Sequence, residues 1–288
     1  MPGSLHCTAD GERRWTALLD VLDDVVVGLD FDGTLAPIVD DPEQAHIHPE
    51  AGAALVALAS HVRAIAVITG RPARQVLDLG GLEEIGDAVE AAGSQLYVFG
   101  QYGHERWTSS ARRIDAPRPP RGLVAFEREL PHVLGEAGAD DAFVEDKGLA
   151  VAVHTRRLAD PAGAFRAVLP LLTELAERHD LIVEPGRNVV EVRTGGMDKG
   201  QVVQHLVERL SPSGFLFAGD DLGDVQAFEA LTALADGGLP VLRVCSASSE
   251  ESALRQSADL VVPGPAGVVD LLARLAAGAP TTGAPVCA

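Results

Sequence analysis

Six short apolar runs, each ending in Gly, Ser or Asp, constrain this chain more than any other feature. They are VVVGLD (Val25 to Asp30), IAVITG (Ile65 to Gly70), LYVFG (Leu96 to Gly100), FLFAGD (Phe215 to Asp220), VLRVCS (Val241 to Ser246) and DLVVPG (Asp259 to Gly264). Most lack the polar alternation of a one-sided strand, so they suit strands buried on both faces, as in a parallel sheet. Helical patterns lie between them. Pro49 to Ala64 carries Leu55, Val56, Leu58, Ala59 and Val62 at helical spacing, with Pro49 suited to a first turn; Lys199 to Leu210 and Val268 to Ala277 read the same way. Strand and helix in alternation predict an α/β fold with a doubly wound, mostly parallel sheet. Such sheets hold ligands beyond the carboxyl ends of their strands, so the polar residues ending the runs are the first candidates for function.

The middle of the chain breaks the pattern. SSARRIDAPRPPR (109–121) is rich in Arg and Pro and reads as an exposed linker. A helix is expected at 122–137, then two alternating strands, AFVED and LAVAVHTRR, around a Lys-Gly turn. A helix over Pro161 to His179 and a hairpin of LIVEPG and NVVEVR, turning at Gly186-Arg187, follow. The expectation is an α+β unit at 109–193 inserted into a core formed by 1–108 and 194–288, with a loose tail after Ala277.

Charge limits the partners. With 288 residues, net charge −19 and no Lys/Arg run, the chain repels nucleic acid and anionic membranes. A phosphorylated substrate therefore needs a local remedy, either a metal or positioned cations. Cys7, Cys245 and Cys287 have no metal-binding or disulfide-framework spacing. Neither a signal-peptide pattern nor a run of membrane-span length is present, so the chain reads as a cytoplasmic protein.

Four segments carry chemistry. In LDFDGTLAPI a buried strand delivers Asp30, and Asp32 follows two residues later. A divalent metal suits Asp30 and proton transfer suits Asp32; the bland alternative is a turn or a calcium-type loop. In VITGR, Thr69 can hydrogen-bond a phosphoryl oxygen, although the segment alone reads as an ordinary strand-to-helix turn. In GGMDKG, Lys199 opens a helix, where the dipole disfavours a cation, so it is explained either by a nearby anion or by solvation at the surface. In FLFAGDDLGD, Asp220, Asp221 and Asp224 crowd one strand end; helix capping accounts for one of them, and three call for a cation.

Jointly these segments resemble the haloacid dehalogenase superfamily of phosphatases, and the inserted unit resembles the cap such enzymes carry over a Rossmann-like core. A narrower resemblance is to the trehalose-6-phosphate phosphatase family. LDFDGTLAPI, VITGR, GQYGHERW, VEDKGLAVAVHTRR, EPGRNVVEVR, MDKG and AGDDLGD occur in that family's order and at similar spacings, from about Val25 to Leu272. The resemblance implies a Mg²⁺-dependent enzyme that hydrolyses trehalose 6-phosphate, the last step of trehalose synthesis. Asp30 would be the nucleophile and Asp32 the acid and base. Mg²⁺ would be held by Asp30, the carbonyl of Asp32 and Asp220, with Asp224 or Asp221 in support. Thr69 and Lys199 would hold phosphoryl oxygens, and Arg71, Glu145, Lys147, His154, Arg156 and Glu191 the substrate. Gly223-Asp224-Val225 departs from the family's frequent Thr-Asp-Glu, which removes two supporting side chains but keeps the central acid. Competing readings are a sibling phosphatase acting on sucrose phosphate or a glycosyl-phosphoglycerate, and a non-catalytic regulatory partner of a trehalose-phosphate synthase, with which functional pairing is also conceivable. A phosphotransferase using an acceptor other than water is a fourth.

Overall fold

The structure is a computed structural model and describes residues 6–7, 9–39, 41–186, 188–247 and 253–278. The chain opens with β1 (His6–Cys7), α1 (Ala9–Leu19), β2 (Val25–Leu29), α2 (Ala51–Ala59) and β3 (Ala64–Ile68). Next come α3 (Ala73–Gly80), α4 (Leu82–Ala91), β4 (Gln95–Gly100) and β5 (Glu105–Thr108). The middle contributes α5 (Arg121–Glu136), β6 (Phe143–Asp146), β7 (Ala150–His154), α6 (Pro161–Arg178), β8 (Leu181–Gly186) and β9 (Val189–Thr194). The last part holds α7 (Lys199–Leu210), β10 (Gly214–Gly219), α8 (Val225–Asp236), β11 (Val241–Ser246), β12 (Leu260–Val262) and α9 (Gly264–Ala276).

Contacts divide the chain into two compact units, Met1–Asp115 with Asp198–Ala288, and Ala116–Met197. The first holds a sheet of order β1-β12-β11-β10-β2-β3-β4-β5. Neighbours from β12 through β4 run parallel, and the outer strands β1 and β5 pair antiparallel. Every residue of β2, β3 and β10 is buried, which is why these strands read as unbroken apolar runs. From β2 the sheet grows through β3 and β4 to one side, and later through β10, β11 and β12 to the other. The order therefore reverses between β2 and β10, and this switch point is where such a sheet leaves a crevice beyond its carboxyl ends. The fold is a Rossmann-like core of the kind expected, with mixed pairing at both edges.

Two expectations need correction in detail. The helix expected over Pro49 to Ala64 stops at Ala59, because the chain must reverse before Ala64 opens β3, and the Arg63 amide already bonds the Val25 carbonyl. Val62 keeps its helical spacing in the sequence but is buried from a turn. The short strands β1 and β5 lie outside the six apolar runs; β5, ERWT, buries fully only Trp107 and has little apolar signal.

The second unit is a four-stranded antiparallel sheet of order β6-β7-β9-β8. Val151, Val153, Val190 and Val192 point one way and form a core with Leu123, Phe126 and Leu130 of α5 and Val168, Leu172 and Leu175 of α6. Cross-strand register aligns Glu145, Ala152, Glu191 and Glu184 in one row, so the opposite face is polar. Asp160 caps α6 by accepting from the Gly163 amide, with Pro161 in the first turn. The 109–121 stretch is split: residues 109–115 belong to the first unit, where Arg106 and Asp115 form an antiparallel bridge. Arg187 and the tail beyond Gly278 lie outside the described residues, as does Cys287, while Cys245 is buried and forms no disulfide. Among the described residues no helix is long and apolar enough to cross a membrane.

Candidate active site

β2 and β10 end side by side at the switch point, the Asp30 amide bonding the Ala218 carbonyl at 2.9 Å. Asp30 is thereby fixed beside Asp220, the residue that follows β10. Beyond Asp30 the chain folds back sharply, with the Gly33 amide bonding the Ala36 carbonyl and the Ser246 hydroxyl bonding the Gly33 carbonyl. Gly33 is required here: its φ is +70°, and a Cβ would lie 2.0 Å from Asp220 Oδ2.

Lys199 settles the choice left open by the sequence. It is buried, and its ammonium donates to Asp30 Oδ1 and Asp224 Oδ1, each at 2.6 Å. A solvated surface lysine is excluded. The helix start is capped by Asp198, which accepts from the Gln201 amide and offsets the unfavourable position of a cation there. The acids after β10 divide their work. Asp221 is exposed and caps the turn over Leu222–Asp224. Asp224 is fully buried; one oxygen meets Lys199, and the other accepts from the amides of Asp220 and Asp221. With both oxygens engaged, Asp224 holds Lys199 and the Asp220 backbone.

The electrostatics are dominated by burial. Burial pushes the Asp30 carboxyl well above the usual carboxylate range, and the charges of Asp224, Asp220 and Asp221 add to this against the opposing pull of Lys199. Asp220 is pushed up to about 8, first by burial and then by the charges of Asp221 and Asp224. Asp224 is raised by burial, with Lys199 opposing. Burial draws the Lys199 amine down, but Asp224 and Asp30 together outweigh it and hold the ammonium well above its ordinary value. One lysine thus faces three buried acids whose oxygens approach within 4.8 Å of one another. Such a cluster fits a hard divalent cation, which takes carboxylate oxygens and supplies the missing charge.

Asp32 sits at the rim and is partly exposed. Arg71 grips it as a fork, Nε to Oδ2 and Nη2 to Oδ1, both at 2.6 Å, and anchors itself to the Pro42 carbonyl through Nη1 at 2.8 Å. Arg71, expected at the substrate, is in this structure committed to Asp32. Thr69 is buried at the end of β3, and its hydroxyl accepts from the Arg71 amide at 3.1 Å.

The residues that brace this turn were not singled out individually in the sequence. Gln101 and Tyr102 hold φ of 50° and 58°, and their amides bond the carbonyls of Arg71 and Thr69. The Tyr102 ring occupies the space over Gly70, where a Cβ would lie 2.7 Å from Cζ. Glu105 accepts from the Ala73 amide, and burial raises its carboxyl. The only sequence signal is the segment GQYGHERW itself.

The remaining expected residues fall in the second unit, on its polar sheet face or just past it. Glu145 meets His154 Nε2 at 2.9 Å, and Lys147 meets Glu191 at 2.6 Å. Arg156 lies exposed beyond the end of β7.

Comparison with known proteins agrees with this arrangement. The sequence profile of the family described as trehalose-phosphatase matches residues 28–111 and 132–262. The trehalose-phosphate phosphatase of Mycobacterium leprae is 29% identical over 254 residues, covering 81% of this chain and 56% of that protein. A probable trehalose-phosphate phosphatase 3 of rice, Oryza sativa subsp. japonica, is 29% identical over 257 residues, covering 82% of this chain and 67% of that protein. The chain thus spans little more than half the length of its mycobacterial relative. In three dimensions the C-terminal domain of C. albicans trehalose-6-phosphate phosphatase has the same fold, with a TM-score of 0.71 and 21% identity over 96% of this chain and 99% of that one. The chain belongs to the trehalose-phosphatase family.

Proposed function

We propose that this chain is a Mg²⁺-dependent phosphatase that converts trehalose 6-phosphate into trehalose and inorganic phosphate through a phosphorylated Asp30. The observation that carries the reading is the buried contact of Lys199 with Asp30 at 2.6 Å, beside Asp220 at the switch point. A carboxylate cannot approach a phosphate dianion without positive charge nearby, and the cluster gathers that charge at the nucleophile.

Asp30 Oδ attacks phosphorus while the bond from phosphorus to the sugar oxygen breaks. Asp32, protonated once one of its oxygens is released from the Arg71 fork, gives its proton to the sugar oxygen, so the sugar leaves as a neutral alcohol. Asp32, now a carboxylate, takes a proton from water as the water attacks the phosphoryl group. The bond from phosphorus to Asp30 breaks, and phosphate is released with Asp30 restored. Lys199 and the Thr69 hydroxyl meet the phosphoryl oxygens, and Asp224 keeps Lys199 in place. Asp30, Asp220 and the Asp32 carbonyl are the groups suited to hold Mg²⁺, which when bound neutralises phosphoryl charge. Glu145, Lys147, His154, Arg156 and Glu191 supply the polar contacts that read the sugar.

The test is capture of the intermediate. The chain, mixed briefly with trehalose 6-phosphate and Mg²⁺ and quenched in acid, should yield a phosphorylated peptide containing Asp30. Asp30→Asn should yield none and should lose at least about 10⁴-fold in turnover while remaining folded. Turnover in Asp30→Asn comparable with wild type would rule the reading out.

A further inference from the structure

The sheet of the second unit has another face, and one end of it lies open. Along β6, Phe143 and Glu145 point to the polar face, so Val144 and Asp146 point the other way, towards the helices. On that side Val151, Val153, Val190 and Val192 are buried in the core that α5 and α6 complete. Val144 stands opposite Val153 yet is 38% exposed. β6 is the edge of its sheet, with β7 its one neighbour among the described residues, so no further strand covers this end. A groove of about 380 Å³ lies there between β6 and α5, with Leu130, Leu134, Val144 and Val151 in its apolar lining.

Three carboxylates line the same groove. They are Glu127, on the α5 face that carries Leu130 and Leu134, Asp140 before β6, and Asp146. No Lys or Arg lines it. Among the described residues neither Glu127 nor Asp140 has a hydrogen bond or an ion pair, and Asp146 uses Oδ1 to accept from the Gly148 amide at 2.7 Å. Glu127 is half-buried; burial, and after it the charge of Asp146, raises its carboxyl above the ordinary value. Acids that feel one another beside apolar surface call for positive charge, and the chain places none in the groove.

An occupant must satisfy both the acids and the apolar lining. An inorganic cation would answer the carboxylates and leave the apolar lining in water. A neutral apolar molecule would leave the acids uncompensated. A second copy of a chain with net charge −19 would add repulsion. The size suits a small ligand, and an apolar cleft with a few converging charged groups is the usual form of such a site. We infer that this groove binds a small organic cation, an ammonium or amidinium on an apolar body, whose body packs on Leu130, Leu134 and Val144 while its cation meets Glu127 and Asp146. The site lies on the face of the sheet opposite Glu145 and Glu191, so the inference does not depend on the proposed phosphatase reading.

The experiment is calorimetric titration of the full chain with 2-phenylethylammonium chloride, with Mg²⁺ present in excess to occupy the acids around Asp30. 2-Phenylethanol, which has the same apolar body without the charge, is the control. The ammonium should bind at one saturable site at least about tenfold more tightly than the alcohol. Glu127→Gln should weaken it about tenfold, and Val144→Arg, which puts a tethered cation into the groove, should abolish it. Phosphate release from trehalose 6-phosphate should show no competitive inhibition by the ammonium. Equal affinity for ammonium and alcohol, or an affinity that neither substitution changes, would overturn the inference. So would competition with the sugar phosphate, which would put the cation on the polar face instead.

Discussion

Arg71 holds Asp32 by both carboxylate oxygens, Nε and Nη2 each 2.6 Å away, and is itself pinned to the Pro42 carbonyl. A forked ion pair fixes the plane of the carboxylate as well as its position. The residue proposed to give a proton to the leaving sugar is thereby aimed by another side chain, so Arg71 acts as a positioning residue. Arg71→Ala should cost most where the leaving group most needs a proton. The loss in kcat should be about 10²-fold on trehalose 6-phosphate and clearly smaller on p-nitrophenyl phosphate, whose leaving group departs unaided. Equal losses on both esters would show that Arg71 serves the phosphoryl group.

Lys199 compensates two buried acids at once. Lys199→Met leaves Asp30 and Asp224 buried without their cation, and breaking a buried pair in this way costs about 3–5 kcal/mol. Urea unfolding in EDTA should show that loss. It should be larger at pH 8 than at pH 6, because acids with raised pKa escape the penalty by taking up protons. Stability equal to wild type at both pH values would contradict the geometry.

Asp220 gives the metal-free protein a pH signature. Its carboxyl is pushed up to about 8 in the folded chain, from an ordinary value of 3.8. Between those values the folded state holds a proton that the unfolded chain has released, so the contribution of this group to stability falls as pH rises. Asp220→Asn carries no such proton. In EDTA, the Tm advantage of the variant over wild type should therefore grow from pH 5 to pH 8. Mg²⁺ should raise the wild-type Tm more at pH 8 than at pH 6, since the cation replaces the proton. A pH-independent difference would show that Asp220 is ionised throughout.

Glu145 orients His154 and belongs to the polar face of the second unit. Glu145→Ala should lower kcat/KM for trehalose 6-phosphate at least about tenfold more than for p-nitrophenyl phosphate. Parallel losses would mean that Glu145 serves folding and not sugar recognition.

The sheet and its switch point were legible because burial on both faces leaves an unbroken apolar run, and Asp30 and Asp220 stand at the ends of two such runs. The local chemistry of DFDGT and GDDLGD pointed to the acids, but the division between Asp221 as cap and Asp224 as the partner of Lys199 depends on backbone direction that spacing alone does not give. Arg71 illustrates the limit: VITGR places it near the site, yet its partner, 39 residues earlier in the chain, is chosen by tertiary packing. The strand β5 was invisible because a short antiparallel edge need bury only one face, and Trp107 alone does most of that. Phe143 looked like one apolar residue of a strand; only the register shows that it shares the polar face with Glu145 and His154.

The most direct test of the central claim is phosphate release from trehalose 6-phosphate, glucose 6-phosphate, sucrose 6-phosphate and glucosyl-phosphoglycerate, each with Mg²⁺ and with EDTA. Mg²⁺-dependent release from trehalose 6-phosphate, preferred over the others by about 10²-fold or more and absent in EDTA, is the expected result. Equal cleavage of all four would contradict the substrate, and no cleavage of any would contradict the proposed catalysis.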